Sequence, residues 1–311
     1  MSTTDFAHEA LLYAGGDGFL QGTLPFVREG LARDEPMLLV LSAAKIERIR
    51  SELNGDGEGE RILFADMDEV GANPARIIPA WRRFLDEQAA GGRPVRGIGE
   101  PIWAGRGSDA LVECQRHESL LNLAFADAPA FRLLCPYDTD TLDRPVIEEA
   151  LCSHPYVLED GARRVSPSYR GAAAIAAPFD EPLPAPPDSA QELFFDGDSL
   201  GAVRRFLAMR AAEARFDEAR ASELVLAVNE VATNSVRHGG GSGTMRIWAD
   251  ARWLVCELED GGRIDDPLVG REEPTADQQD GRGLWIANQV CELVQVRSFA
   301  TGTVVRLHAR R

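Results

Sequence analysis

The chain has 311 residues, of which 50 are acidic and 33 basic, so its formal net charge is −17. Such a charge repels a phosphate backbone and an anionic bilayer, which disfavours direct DNA binding and attachment to a membrane surface. No stretch approaches the ~20 apolar residues of a membrane span, the N-terminus has no signal-peptide pattern, and the five cysteines are widely spaced without a CxxC pair. We therefore expect a soluble, unprocessed cytoplasmic protein of two domains.

The first half, residues 1–160, alternates short apolar runs with amphipathic stretches. The runs predict strands at Ala10–Ala14, Met37–Leu41, Ile62–Ala65, Val95–Ile98 and Phe131–Cys135. The stretches between them predict helices near Phe19–Leu31, Ala44–Leu53, Ala75–Gln88 and Ala110–Ala126. Regular alternation of strand and helix predicts an α/β domain, with a mainly parallel sheet covered by helices on both faces.

Prolines become frequent after the first half. Between Ser166 and Gln191 lie Pro167, Pro178, Pro182, Pro184, Pro186 and Pro187. Proline donates no backbone hydrogen bond and favours extended chain, so residues 161–190 are predicted to form a semi-stiff linker, with a domain boundary near residue 185.

The second half, residues 191–311, places helices before antiparallel strands. A strand at Glu192–Phe195 is followed by a helix to about Ala214, which Asp198 or Ser199 is expected to cap. The remaining elements are predicted as a helix over Ala219–His238, strands at Thr244–Asp250 and Trp253–Glu259, a helix from Leu284 to about Cys291, and a hairpin of Leu293–Ser298 with Thr303–His308. This order predicts an α+β sandwich.

Three segments of this half carry the chemistry. On the Ala219–His238 helix, Glu230 and Asn234 lie four residues apart and share a face. Asp260-Gly-Gly262 follows an apolar strand, where a carboxylate can accept from an exocyclic amine and glycine lets a flat ring approach the main chain. Gly281–Leu284 opens a helix with glycines, which exposes amides to a phosphate. Each segment alone is ordinary (a polar helix face, a turn, a loop), but their order and spacing predict an ATP site.

These segments resemble the motifs of the GHKL ATPases, the family that includes histidine kinases. Glu230-x3-Asn234-x3-His238 resembles the N box, Asp260-x-Gly262 the G1 box and Gly281-x-Gly283 the G2 box, while Gly302-Thr303 resembles the last ATP-contacting motif. The resemblance implies ATP and Mg²⁺ as cofactors. It assigns Asn234 to Mg²⁺, Glu230 to general-base catalysis, and Asp260 and Thr303 to adenine. It assigns phosphate to the backbone amides at the start of the helix, those of Gly281, Arg282, Gly283 and Leu284. His238 and Gly262 complete the nucleotide-binding set.

Within this family the chain is most similar to the anti-sigma serine kinases. A proline-rich linker stands where a histidine kinase has its dimerising helix, and His117-Glu118, which superficially resembles a phosphoacceptor box, lies inside the α/β half. The resemblance implies a sigma factor and a STAS-domain antagonist as partners, and leaves homodimerisation open. An ATP-binding module without phosphoryl transfer is the alternative. The chain departs from the family at Ile264, where a second G1 glycine is frequent, before a short acidic lid predicted at Asp265–Asp280.

The first half resembles the MEDS sensory domain. The resemblance rests on Gly99–Trp103, His117–Asn122, Leu134–Asp138, Ser153–Pro155 and His8, and implies a RecA-like core that senses a small organic ligand. We predict that Cys135, Tyr137 and Asp138, near the carboxyl end of a strand, line the ligand pocket. The histidines and cysteines of this half match no standard metal-site spacing apart from a bare Cys-x-His at 152–154, so packing roles are expected and no metal is predicted at His8, Cys114, His117, Cys135, Cys152 and His154.

Overall fold

The computed structural model describes residues 6–53, 61–159, 161–171, 175, 181–275 and 281–311. The chain divides into two compact units, Met1–Ala176 and Ala177–Arg311. Their division falls within the range 161–190. Among the described residues, no helix is both long enough and apolar enough to cross a bilayer.

The first unit is an α/β domain, as predicted. Its strands are β1 (Ala7–Tyr13), β2 (Met37–Leu41), β3 (Ile62–Asp66), β4 (Val95–Gly99), β5 (Phe131–Asp138), β6 (Tyr156–Glu159) and β7 (Ala162–Val165). Its helices are α1 (Gly15–Ala32), α2 (Ala43–Leu53), α3 (Met67–Val70), α4 (Ile77–Gln88), α5 (Ser108–Ala124) and α6 (Arg144–Ser153). Within the described residues the sheet order is β3-β2-β4-β5-β1-β6-β7, and the strand pairs are parallel except for β6 with β7.

Alternate side chains of this sheet pack against helices on opposite faces. On one face, Leu11 and Leu134 share a buried cluster with Phe19 of α1 and Ile49 of α2. On the other face, the ring of Trp81 from α4 lies over β4. Gly97 leaves the room for it, since a Cβ at that position would come within 2.7 Å of the ring.

The structure differs from prediction at the end of this unit. Strand β7 lies inside the range predicted as linker, and it was missed because all four of its residues are exposed and show no apolar alternation. Ser166, just beyond it, is buried and donates through its hydroxyl to the Leu151 carbonyl at 2.6 Å. The ordered first unit therefore continues past residue 160. Helices α3 and α6 were likewise not predicted.

The second unit is a two-layer α+β domain. Its elements are β8 (Gln191–Asp196), α7 (Leu200–Glu213), α8 (Glu218–His238), β9 (Ser242–Ala249), β10 (Trp253–Asp260), α9 (Arg282–Val290), β11 (Leu293–Phe299) and β12 (Gly302–Arg310). The described strands form an antiparallel sheet in the order β11-β12-β10-β9-β8. Apolar residues of α7, α8 and α9, including Leu207, Val228 and Ala287, share one buried cluster with this sheet.

Local signals explain where the central helix α8 begins and ends. The Asp217 side chain caps it by accepting from the Arg220 backbone N–H at 3.0 Å, and the helix stops at Gly239. The preceding helix, α7, corrects one expectation: Ser199 occupies its N-cap position, but neither Ser199 nor Asp198 caps it through a side chain. The Ser199 hydroxyl instead donates to the Asp196 carboxylate at 2.7 Å.

Part of the sheet carries a buried ion pair. The guanidinium of Arg306 on β12 donates to the Glu257 carboxylate on β10 at 2.5 Å and to the Pro184 carbonyl at 2.6 Å. Both side chains are more than nine-tenths buried. The segment before β8 is therefore held against the sheet by a charged contact.

Candidate functional site

One end of the candidate site is built where β10 stops. The strand register places Asp260 opposite Thr303 of β12. The Asp260 carboxylate accepts from the Gly262 N–H at 2.8 Å, and the Thr303 hydroxyl donates to the Gly262 carbonyl at 2.9 Å. Asp260 and Thr303 therefore bind the N–H and the carbonyl group of the same residue, Gly262.

Glycines bring this strand end against the end of α8. A Cβ at Gly239 would lie 2.4 Å from the carboxyl carbon of Asp260, and a Cβ at Gly262 would lie 2.7 Å from the Gly239 Cα and from the His238 carbonyl oxygen. The Gly261 N–H also donates to the Gly239 carbonyl at 3.1 Å. Because side chains would fill these gaps, glycine is required for the carboxylate to meet the helix end.

The other end of the site is the contact between α8 and the start of α9. A Cβ at Gly283 would lie 2.7 Å from the Asn234 side-chain nitrogen and 3.2 Å from the Glu230 Cβ. Gly281 precedes the helix in a left-handed conformation, with φ of 86°, and a Cβ there would meet none of the described residues within 4 Å. The first turn of α9 thus starts directly beside the side chains of Glu230 and Asn234.

A cavity of about 310 Å³ joins the two ends. Of the predicted residues, it is lined by Asn234, His238, Asp260, Gly262, Gly281, Leu284 and Thr303. Gly283, Glu230 and Arg282 are not part of this lining: Gly283 is buried beside Asn234 and Glu230, and Arg282 is exposed at the helix start. Residues that the sequence places in four separate segments therefore meet around one space.

The lining also contains residues outside the predicted binding set: Val231, Gly239, Arg263, Ile264, Asp265, Asp266, Val269 and Val305. Of these, Gly239 ends the N-box segment, Ile264 marks the departure from the G1 box, and Asp265 and Asp266 begin the predicted lid. The valines and Ile264 give the cavity an apolar wall suited to a flat ring. Ile264 stands where the family pattern has a second glycine, and its backbone N–H donates to the Ser298 hydroxyl at 2.8 Å.

Ser298 is a further supporting residue. Its hydroxyl lies 2.8 Å from the Thr303 hydroxyl, and the two residues are register partners across the β11–β12 hairpin. The predicted strands Leu293–Ser298 and Thr303–His308 already place these residues opposite each other, so the register was a signal that could have identified Ser298.

The acidic segment after Ile264 behaves as a solvated loop over its described part. Asp265, Asp266, Glu272 and Glu273 are all exposed. Its Gly270 is anchored, because the Gly270 carbonyl accepts from the Asn288 side chain of α9 at 2.8 Å. Asp277 and Asp280, also assigned to the lid, lie outside the described residues.

In the first unit, the structure separates the three residues of the predicted sensory pocket. Cys135 and Tyr137 are each 1% exposed, and burial raises the pKa of the Cys135 thiol and of the Tyr137 phenol well above their usual values. The Asp138 carboxylate instead accepts from the Gly15 N–H at 3.2 Å. A cavity of about 510 Å³ opens at the carboxyl end of β1 and is lined by other residues, among them Asp17, Thr139 and Glu159. The pocket of Cys135, Tyr137 and Asp138 stays a prediction.

Two family models match the chain. The model described as the MEthanogen/methylotroph, DcmR Sensory domain (MEDS) matches residues 7–155. The model of the histidine kinase-like ATPase domain matches residues 195–309. These matches agree with the two units of the structure and with both resemblances found in the sequence.

Comparison with individual proteins is less informative. A search of curated proteins finds no match. Among solved structures, the chain is similar to the crystal structure of the RsbU and RsbW domains of Rv1364c from Mycobacterium tuberculosis, with 20% identity and a TM-score of 0.31. The match covers 40% of this chain and 33% of that one, so the chain spans about a third of the length of that structure.

Proposed function

Because the chain joins a MEDS domain at residues 7–155 to a histidine kinase-like ATPase domain at residues 195–309, we propose that it is an anti-sigma regulatory protein with ATP-dependent serine kinase activity. Its substrate would be a STAS-domain antagonist, its sequestered partner a sigma factor, and its regulator a small ligand of the MEDS domain. The observation that carries the ATP assignment is the single cavity shared by Asn234, Asp260, Gly281 and Thr303.

The residues at the Asp260 end fit an adenine. A carboxylate has about four acceptor positions and Gly262 takes one, so Asp260 retains capacity to accept from an exocyclic amine. Thr303 holds the adjoining backbone in place through the Gly262 carbonyl. Ile264, Val269 and Val305 would cover the ring faces.

The residues at the α9 end fit phosphates. The first-turn N–H groups of α9 point out of the helix start, where the helix dipole favours an anion. The Asn234 amide oxygen can serve as a ligand for Mg²⁺, which would neutralise phosphate charge during transfer. The contact of Gly283 with Asn234 keeps the amide and the helix start side by side.

Glu230 is proposed as the general base. It lies one helical turn before Asn234 on α8 and is half-buried beside Gly283. A carboxylate at that position can accept the proton of a substrate serine hydroxyl as the oxygen attacks the terminal phosphoryl group. Asn234 would therefore act in nucleotide binding and Glu230 in proton transfer, so substitutions at the two positions should affect different steps.

Binding is tested by titration calorimetry of the full chain with Mg·ATP. We expect Asn234→Ala to lose most of its affinity, and binding by the wild type to depend on Mg²⁺. The matched control is Asn229→Ala on the same helix, whose side chain instead accepts from Arg204 at 2.7 Å. Near-normal affinity of Asn234→Ala, with affinity of Asn229→Ala unchanged, would contradict the assignment.

Transfer is tested with radiolabelled ATP and STAS proteins from the native host. Removing a general base typically lowers the rate ~10²–10⁴-fold with little effect on ground-state binding. Glu230→Gln should therefore hold ATP and fail to label the STAS protein, whereas Glu223→Gln, on the exposed side of α8, should label normally. Tight ATP binding with no labelling by the wild type would favour the alternative, an ATP-binding anti-sigma module without transfer.

Regulation is tested by comparing the full chain with a fragment lacking residues 1–176, a cut that removes β7 with the rest of the first unit. A ligand shifts an equilibrium only through unequal affinity for its two states, and coupling of ~1–3 kcal/mol changes activity about 5- to 150-fold. Equal activity of fragment and full chain under every ligand screened would mean that the two domains are merely tethered.

A further inference from the structure

Four buried side chains of the types that ligate metals meet inside the first unit. His8 lies on β1, Cys135 on β5, Glu118 on α5, and His154 directly after α6. The parallel register pairs His8 with Leu133, two residues before Cys135, so both side chains face the same side of the sheet. All four residues are at most 1% exposed.

The donor atoms are close enough to share one cation. His8 Nε2 lies 3.0 Å and His154 Nε2 lies 3.2 Å from Glu118 Oε2, and Cys135 Sγ lies 3.4 Å from His8 Nε2. The four donor atoms all lie within 4.8 Å of one another. Ligands placed tetrahedrally around Zn²⁺ at its usual bond lengths are about 3.3–3.8 Å apart. The cluster is therefore near the size of a filled site.

The Nδ1 nitrogens of both histidines, which point away from Glu118, already have hydrogen-bond acceptors. His154 Nδ1 lies 2.8 Å from the Ala150 carbonyl oxygen, which can only accept, so Nδ1 carries a proton. His8 Nδ1 lies 3.2 Å from the Asn122 side-chain oxygen. The Asn122 amide is oriented by its donation to the Ser153 carbonyl at 2.7 Å, so here too Nδ1 is the donor.

This arrangement directs two Nε2 lone pairs at a carboxylate oxygen. Among the described residues, His154 Nε2 and Glu118 Oε1 have no aligned hydrogen-bond partner, although His154 Nε2 is within 3.2 Å of Oε2. Charging both imidazoles would place two cations together in a dry interior, with ring centroids 3.9 Å apart. A bound cation removes the conflict, since it accepts both Nε2 lone pairs and balances the Glu118 carboxylate without charging either imidazole.

We propose that His8, Glu118, Cys135 and His154 form a buried metal site that binds one Zn²⁺. Two neutral imidazoles, a carboxylate and a thiolate give the nitrogen, oxygen and sulfur donors that Zn²⁺ accepts, and the two anions balance its charge. The Cys135 proton leaves to solvent as the metal binds. Four protein ligands close the coordination shell, so the ion would hold β1, β5, α5 and the end of α6 together.

The primary test uses the full chain without an affinity tag, stripped of metal and titrated with Co²⁺. Thiolate-to-cobalt charge transfer and tetrahedral cobalt bands should appear and saturate at about one equivalent, and Zn²⁺ should displace them. Mass spectrometry of the metal content should likewise find about one zinc per chain in protein purified with zinc. A folded wild-type chain with neither cobalt bands nor bound zinc would overturn the proposal.

Variants identify the ligands. Cys135→Ser should abolish the charge-transfer band and His154→Gln should weaken binding strongly, whereas Cys114→Ser, an equally buried cysteine of α5, should leave binding unchanged. Circular dichroism of each variant monitors folding. An unchanged band in folded Cys135→Ser would refute the site.

Asn122 supplies a test of the outer hydrogen bonds. Loss of such a partner typically lowers metal affinity ~10–100-fold while leaving the ligands in place. Asn122→Ala should therefore need more Co²⁺ to reach the same final spectrum. Unaltered affinity would show that His8 is not oriented by Asn122, and would contradict the tautomer on which the site depends.

Discussion

Replacing Gly283 with alanine tests how closely α9 packs on α8. Gly→Ala in a helix with room stabilises a protein by ~0.5–1 kcal/mol. Here the new Cβ would lie 2.7 Å from the Asn234 nitrogen and 3.2 Å from the Glu230 Cβ. Adding a methyl group to filled space costs ~1–3 kcal/mol, so we expect a net destabilisation of ~1–2 kcal/mol unless Asn234 moves aside.

Either response damages nucleotide binding. If α9 shifts, its first-turn amides leave their position, and if Asn234 rotates, its amide oxygen turns away. We expect at least a ~10-fold loss of Mg·ATP affinity, which corresponds to ~1.4 kcal/mol. Calorimetry measures the affinity and thermal denaturation measures the stability.

Gly201→Ala, in the first turn of α7, is the matched control. Its Cβ would lie 3.3 Å from the end of the flexible Arg205 side chain, which can move. The control should keep wild-type affinity and melt at the same temperature or slightly higher. If Gly283→Ala also keeps wild-type Mg·ATP affinity and melts at a higher temperature, α9 does not pack against Asn234 closely enough to exclude a methyl group, which would refute the prediction.

Two further substitutions test contacts in the same domain. Thr303→Val removes the hydroxyl that is hydrogen-bonded to Gly262 and Ser298. We expect the free energy of unfolding, measured by urea denaturation, to fall by ~1–3 kcal/mol and ATP binding to weaken. The control, Thr301→Val in the exposed turn, should change neither quantity. Arg306→Met leaves the Glu257 carboxylate buried without its main partner. We expect the free energy of unfolding, measured by the same denaturation, to fall by ~3–5 kcal/mol. A fall of less than ~1 kcal/mol would contradict this.

Elements with a strong apolar pattern were predicted closely. Strand β2 was predicted with the bounds observed, Met37–Leu41, because a strand that is buried on both faces reads as a continuous apolar run. Strand β7 was missed because pairing with β6, and not burial, stabilises it. A strand whose side chains are all exposed leaves little trace in hydrophobic periodicity.

The two sites differed in how far the sequence could predict them. Asn234, Asp260 and Thr303, which the motifs assign to one nucleotide site, line one cavity, and their roles toward ATP stay predictions. The cluster of His8 and Glu118 with Cys135 and His154 could not be predicted, because its ligands come from four elements with no characteristic spacing. Both sites join distant segments, but each segment of the nucleotide site carries a motif with its own internal spacing. The four metal-ligand candidates are brought together only by strand order and helix packing, which leave no motif in the sequence.

The position of β12 affects the order in which the domain assembles during synthesis. In the sheet β12 lies between β10 and β11, although it follows both in the chain. At ~5–20 residues per second, a ribosome needs several seconds to proceed from Asp260 to Arg310, and during that time β10 lacks a neighbour on one edge. Thr303, which holds Gly262, arrives with this strand. Because a ligand stabilises only the form that binds it, we expect ATP in the cell to favour newly made chains that have inserted β12, and so to assist their maturation.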